Sequence, residues 1–452
     1  MRGLTMDFAA KMESPVPAGE AQRRRPRLLM SAYACRPDQG SEPGVGWNRA
    51  LQAAREFDTW VITEDATSGT AIRKYLREHG PIPGLEFVFI RKSALVQVLQ
   101  YRLKLYFAPL AAMRWWHLKA YRVARRLHAE LQFDLVQQVN FQTYREPGYL
   151  WRLGVPFIWG PWGGVQNFPW RFLPLCGFSG ALWEGFRSIL NYLQLRISPR
   201  VRKAAARAAL LLACNSENQR VFAAVHGRTP QVIAGNGVQA LLGPRPKDRP
   251  HSTLRLLWVG RLENMKALPV LLQALTRLPA SLSYELRIVG QGPQKKNWQR
   301  MAARLGLLAR VVWLNHLSRD EAYAEYLAAD LFIFTSMRET IPTVVIEALA
   351  AGLPIIYLDH LGLKDMVPPE CGVGVALRTP RQAAEDLAQA ILRLAGDAEA
   401  RERMGAASAL QAQQYLWSRQ GEKLNRLMLQ VLGAKPDNKK SSCLDFEGFA
   451  SR

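Results

Sequence analysis

The chain has 452 residues, 48% hydrophobic and 21% charged, a balance that excludes an unfolded composition and a length that predicts two domains rather than one core. Its formal net charge of +23 calls for an acidic partner, whether nucleic acid, anionic lipid or a phosphorylated substrate. Five cysteines (Cys35, Cys176, Cys214, Cys371, Cys443) have no metal-type spacing and cannot all pair, which fits a reduced, cytoplasmic chain and predicts no metal.

Residues 1–26 read as a flexible leader without the apolar stretch of a signal peptide, and no run of about 18 apolar residues predicts a membrane span. From residue 27 short apolar strands alternate with helical stretches: "RLLMSAYAC", then a glycine-rich turn "GSEPGVGW" into a helix, "DTWVIT", "LEFVFI", "FDLVQQVNF", "VPFIWGP" and "ALLLACNS". Ser216 is the expected cap of the helix after the last of these. Residues 237–253, rich in proline and charge, read as a linker, and the alternation restarts at 254 with "LRLLWVG", "YELRIVG", "VVWL", "LFIFTS" and "LPIIYL". The fold class expected is α/β: two doubly wound Rossmann-like domains, 27–236 and 254–411, facing a central cleft where ligands bind at the strands' carboxyl ends. A helix at 412–432 and a polar tail at 433–452 complete the chain.

The chemistry concentrates in "RETIPTVVIEALAAGLPII", where Glu339 and Glu347 stand around a proline in an apolar run. Pro342 suits the first position of a helix that ends at Gly352. Glu339 then lies in the loop before the helix and Glu347 on its second turn, with the helix amides between them as an anion site. Carboxylates in that place accept hydrogen bonds from hydroxyl groups, such as those of a ribose and of a sugar attached to a diphosphate; alone, they also read as a solvated loop residue and a polar helix face. Arg261, after the strand closed by Gly260, and Lys266, at the next helix start, place two cations within reach of one diphosphate. Gly290 and Gly292 form a tight turn after another strand, and Gly44 and Gly46 allow close backbone approach between the first strand and helix.

Together these residues resemble a family 4 retaining glycosyltransferase (glycosyl transferases group 1) of the GT-B fold, over about residues 27–432. The resemblance assigns Glu339, with Thr340, Ile341, Pro342 and Thr343, to the donor sugar and phosphates, Glu347 to ribose, and Arg261 and Lys266 to the departing diphosphate. It implies a nucleoside-diphosphate sugar as donor, no cofactor and no metal, a retained anomeric configuration, and a last helix that crosses back onto the N-terminal domain. Many members carry a histidine where this chain has Gln137, Gln138 and Asn140, and glutamine does not exchange a proton near neutral pH. Trp162, Gly163 and Gly164 either line the acceptor side or close a packed turn. A sugar-nucleotide epimerase and a donor-binding protein with little or no transfer remain alternatives.

Residues 100–131 hold seven basic residues, six aromatics and one acid, and 187–209 repeat the basic bias, which suits an anionic membrane surface on its inner, cytoplasmic face. A glycan or lipid-linked acceptor, in bacterial envelope or exopolysaccharide biosynthesis, fits that placement. No nucleic-acid-binding motif is present, so nucleic acid is not an expected partner.

Overall fold

The computed structural model describes residues 24–91, 108–243, 253–339 and 342–433. The leader up to 23, the first part of the basic stretch at 100–131, most of the linker, Thr340, Ile341 and the tail from 434 lie outside the described residues.

The N-terminal sheet holds β1 (Arg27–Ser31), β2 (Asp58–Glu64), β3 (Leu85–Ile90), β4 (Leu135–Gln138), β5 (Phe157–Trp162), β6 (Ala208–Ala213) and β7 (Gln231–Val232), in the order β3-β2-β1-β4-β5-β6-β7. Every pairing is parallel. Helices α1 (Ser41–Ala53), α2 (Thr70–His79), α3 (Ala108–Leu131), α4 (Gly177–Ile197), α5 (Pro199–Arg207) and α6 (Ser216–His226) connect the strands. Parallel strands need such crossovers, and the crossovers bury both faces of the sheet. This is why the strands read as continuous apolar runs, with Leu28, Leu29, Met30, Val61 and Ile62 all fully buried.

The C-terminal sheet holds β8 (Leu254–Val259), β9 (Tyr284–Val289), β10 (Val311–Asn315), β11 (Leu331–Phe334), β12 (Ile355–Asp359) and β13 (Gly372–Ala376), in the order β10-β9-β8-β11-β12-β13, again parallel throughout. Its helices are α7 (Leu268–Leu275), α8 (Lys295–Arg304), α9 (Arg319–Ala328), α10 (Thr343–Ala350), α11 (Leu363–Met366), α12 (Pro380–Ala395) and α13 (Ala398–Ala412). In each sheet the winding direction reverses beside the first strand, between β1 and β4 and between β8 and β11, and such switch points form the ligand crevices of doubly wound sheets.

The two carboxyl ends meet. Asn215, after β6, donates from Nδ2 to the Leu361 carbonyl after β12 at 2.9 Å. The chain returns across the interface through α14 (Trp417–Val431): Asn425 Nδ2 donates to the Gln52 carbonyl of α1 at 2.8 Å, and the Arg49 guanidinium lies 5.1 Å from the centre of the Trp417 ring. Val238 exchanges backbone hydrogen bonds with Tyr415 and Trp417, each at 3.0 Å, so the start of the expected linker is tied to the foot of that helix.

Several local expectations differ from the structure. Asn215, not Ser216, caps α6, its side chain accepting from the Asn218 amide at 2.9 Å; an amide oxygen two bonds beyond Cβ reaches that N–H while Ser216 is already the first helical residue. Gly44 and Gly46 lie inside α1 rather than in the turn before it. A Cβ at Gly46 would meet the Ala34 carbonyl oxygen at 2.1 Å, and one at Gly44 the Gln39 oxygen at 2.4 Å, so what approaches these glycines is their own preceding loop. The short strands β7 and β13 carry too few apolar residues in a row to be anticipated.

Candidate functional site

The loops after β8 and β11 are sewn together at the switch point. Met337 N–H donates to the Met265 carbonyl at 2.7 Å, and the Thr335 hydroxyl donates to the Lys266 carbonyl at 2.7 Å. The β8 and β9 loops are stitched likewise, Leu262 N–H to Gln291 O at 2.9 Å. Gly290, at φ 141°, allows this: a Cβ there would stand 1.9 Å from the Gly260 oxygen, and one at Gly292 2.5 Å from the Leu262 oxygen. The close partner at this turn is the neighbouring loop. The result is a rigid platform for the side chains above it.

On that platform the Lys266 ammonium is ion-paired with Glu339, both side chains more than four-fifths buried, and the Ser336 hydroxyl donates to the same carboxylate at 3.2 Å. Burial pushes the Lys266 pKa down to about 8, against the attraction of Glu263; Arg261 and Arg338 repel it further. Arg261 stands at the open rim, its side chain 77% exposed and 2.6 Å from Glu263. The expected basic pair is therefore one sheltered cation and one rim cation. An ammonium has three donors, so Lys266 can hold Glu339 and still meet an anion.

Helix α10 begins at Thr343 with Pro342 as its cap residue, so the helix starts one position later than expected, and among the described residues no side chain caps its first amides. Asn236 donates from Nδ2 to the Thr343 hydroxyl and fixes the start of α10 from the N-terminal side of the interface. One turn on, Glu347 is half-buried and accepts from the Tyr326 hydroxyl of α9 at 3.0 Å; burial raises its pKa above the ordinary carboxylate range. The second carboxylate oxygen leaves Glu347 free to accept from another hydroxyl. Glu339 and Glu347 thus flank the start of α10, one held by a lysine and the other by a tyrosine.

The N-terminal side is built differently. Gln138 is buried, and its amide donates to the Asn140 carbonyl. Asn140, also buried, donates to the Glu42 carbonyl at 3.1 Å. Trp162, read from sequence as either an acceptor-side or a packed residue, has no exposed surface: its ring packs 4.4 Å from Phe222 and 5.5 Å from Trp159, in the core above β5. The reason is alternation, since Trp162 still belongs to the strand, buried on both faces. Gly163 and Gly164 serve a packed turn; Gly163 N–H donates to Gln142 O at 3.2 Å, and Gly164 adopts φ 87° beside Thr143.

Sequence reasoning missed three contributors. Glu42, in the first turn of α1, accepts from the Gln142 amide at 2.7 Å, and burial pushes its pKa up to about 7. Arg338 reaches from beside Glu339 to Glu184 of α4 at 2.9 Å, tying the loop after β11 to the other domain. Tyr326 holds Glu347. Their partners lie on separate elements, so no local spacing signals them. Among the described residues, no group of three or more His, Cys, Asp or Glu is arranged to hold a metal ion.

Comparison with known proteins bears on the half that carries the charged pairs. Residues 244–411 match the family model described as glycosyl transferases group 1. Sulfoquinovosyl transferase SQD2 of Arabidopsis thaliana is 28% identical over 162 residues, 36% of this chain and 30% of that protein. D-inositol 3-phosphate glycosyltransferase of Streptomyces griseus subsp. griseus is 36% identical over 179 residues, 37% of each chain. The matched segment thus spans about a third of the length of the curated relatives. Among solved structures, sucrose-phosphate synthase from Thermosynechococcus elongatus superposes with a TM-score of 0.62 at 17% identity, covering 91% of this chain and 100% of that one. Anabaena HepE in complex with UDP gives 0.58 at 18% identity, covering 90% and 99%. Likeness at that identity speaks to the fold, and the two facing parallel sheets with a returning helix are the GT-B fold. Residues 244–411 thus match glycosyl transferases group 1, carried on a GT-B fold.

Proposed function

We propose that the chain is a retaining, metal-independent hexosyltransferase of family 4. It moves a sugar from a nucleoside-diphosphate sugar to a glycan or lipid-linked acceptor, in bacterial envelope or exopolysaccharide assembly at the inner face of the cell membrane. The observation that carries the donor reading is the pair of carboxylates flanking the start of α10, with the Lys266 ammonium against the first of them. Glu347 accepts from the ribose hydroxyls, and Glu339 orients the sugar. Lys266, Arg261 and the first amides of α10 face the diphosphate. As the sugar leaves, charge builds on the diphosphate, and fixed cations and amides stabilise it without reorganising. The acceptor attacks from the face the diphosphate leaves, and the leaving phosphate takes the proton. The UDP held by the structurally similar HepE supports a nucleoside diphosphate as the ligand class.

Calorimetric titration with UDP, GDP and ADP tests this. One nucleotide is expected to bind at micromolar strength, and Glu347→Ala is expected to weaken it at least about tenfold, the cost of losing a buried acceptor. If the folded protein binds none of the three, the transferase reading falls.

A further inference from the structure

Helix α4 has one face that the fold leaves in solvent. Among the described residues, eight of the twelve exposed large hydrophobic side chains lie on it, including Phe178 at 82% exposure and Leu182, Ile189 and Ile197 each above 60%. The positions 178, 182, 189, 193 and 197 recur every four residues, or seven, so they form one stripe along the helix. A contiguous apolar stripe of this length marks an interaction surface, whereas scattered exposed leucines do not. At the head of the stripe lies an open apolar groove of about 820 Å³, lined by Trp170, Leu173, Pro174, Phe178 and Ala181, with Thr379 contributed by the C-terminal domain.

The charge around the stripe identifies the partner. From Trp170 to Ala209 seven basic residues stand against one acid, Glu184. That acid is buried on the inner side of α4, paired with Arg187 at 3.1 Å and Arg338 at 2.9 Å. Arg171, Arg196, Arg202 and Lys203 are exposed, and the Arg196 guanidinium lies 3.6 Å over the Tyr192 ring. Two copies of a +23 chain meeting through this face would repel, while an anionic lipid surface satisfies both the apolar stripe and its basic border.

We propose that the exposed face of α4 is a lipid-docking surface, seated in an anionic bilayer with the Trp170–Phe178 groove at the lipid boundary. Arg338, paired with Glu184 on the inner side of the same helix, adjoins Glu339, so docking sets the donor loop beside the membrane. A lipid-linked acceptor would then enter the cleft from the bilayer, its apolar chain in the groove and its polar head toward Lys266 and Glu339. This rests on the reading of an acceptor presented at a lipid surface and not on the donor chemistry.

Flotation with phosphatidylcholine vesicles, with and without phosphatidylglycerol, tests it on the full chain. The protein is expected to float with the anionic vesicles, and Leu182→Glu with Ile189→Glu to weaken that binding at least about tenfold, since two apolar contacts become two charges. The control Leu308→Glu with Leu410→Glu, at exposed positions elsewhere, is expected to float as the native chain does. UDP, GDP and ADP titrations of the same variants separate the two readings: intact nucleotide binding with lost flotation supports docking and leaves the donor site standing. Flotation unchanged in the α4 variant overturns the proposal. So does a native chain that forms dimers which the α4 variant dissolves, because the stripe is then a contact between copies.

Discussion

At the strand ends of the C-terminal sheet the charged side chains run from the sheltered Lys266–Glu339 pair to the exposed Arg261, each with a partner that leaves donors or acceptors to spare. At the corresponding ends of the N-terminal sheet the amides and the indole are packed away, and burial pushes the Glu42 carboxyl toward neutrality. Both halves have the same winding and the same switch point. The contrast teaches that a shared fold fixes where a site lies, while the partners of each side chain decide whether it faces a ligand or the core.

Replacing Trp162 by alanine would break that contrast most forcefully. A buried indole lost from the Phe222 and Trp159 cluster is expected to cost about 3–5 kcal/mol of stability, read as a lower denaturant midpoint. A variant of native stability with only acceptor affinity altered would return Trp162 to the acceptor side. Next in size is Lys266→Gln, which leaves the Glu339 carboxylate without its cation. Nucleotide binding is expected to fall about a hundredfold, near the loss found on removing one partner of a buried pair, and calorimetry would show it; an affinity within twofold of native would mean that Lys266 is structural only.

The smallest effect sharpens the N-terminal side. Burial holds the His117 pKa down to about 3, with repulsion from Arg200 in the same direction, while the unfolded chain protonates near 6.5. Between those values the unfolded state binds a proton that the native state does not, so stability falls as pH is lowered through that window. Denaturant titrations of His117→Gln are expected to show a flatter pH dependence, by at most about 1.4 kcal/mol per pH unit. An unchanged slope would show that His117 takes up its proton in the folded protein.

Much of the fold was legible because parallel strands buried on both faces write themselves as apolar runs, as in "RLLMSAYAC" and "LFIFTS". The carboxylate pair was legible because a charge set in an apolar run needs a partner to hold it there. Glycines misled most. Gly44, Gly46 and Gly290 signal close approach, but a sequence does not say whether a ligand or another loop is what approaches; here neighbouring backbone does. Trp162 left two readings open, since an aromatic at a strand end serves equally as platform or as core.

The sequence by itself determined two parallel α/β domains and a carboxylate-flanked helix start near a basic pair, because hydrophobic period, helix-end chemistry and charge are local properties of the chain. Only the tertiary structure decided that Lys266 meets Glu339, that Tyr326 holds Glu347, that Trp162 is core and that α4 keeps its apolar face in solvent. Those outcomes depend on which surfaces remain once residues far apart in sequence have taken up the rest, and no local pattern encodes that competition.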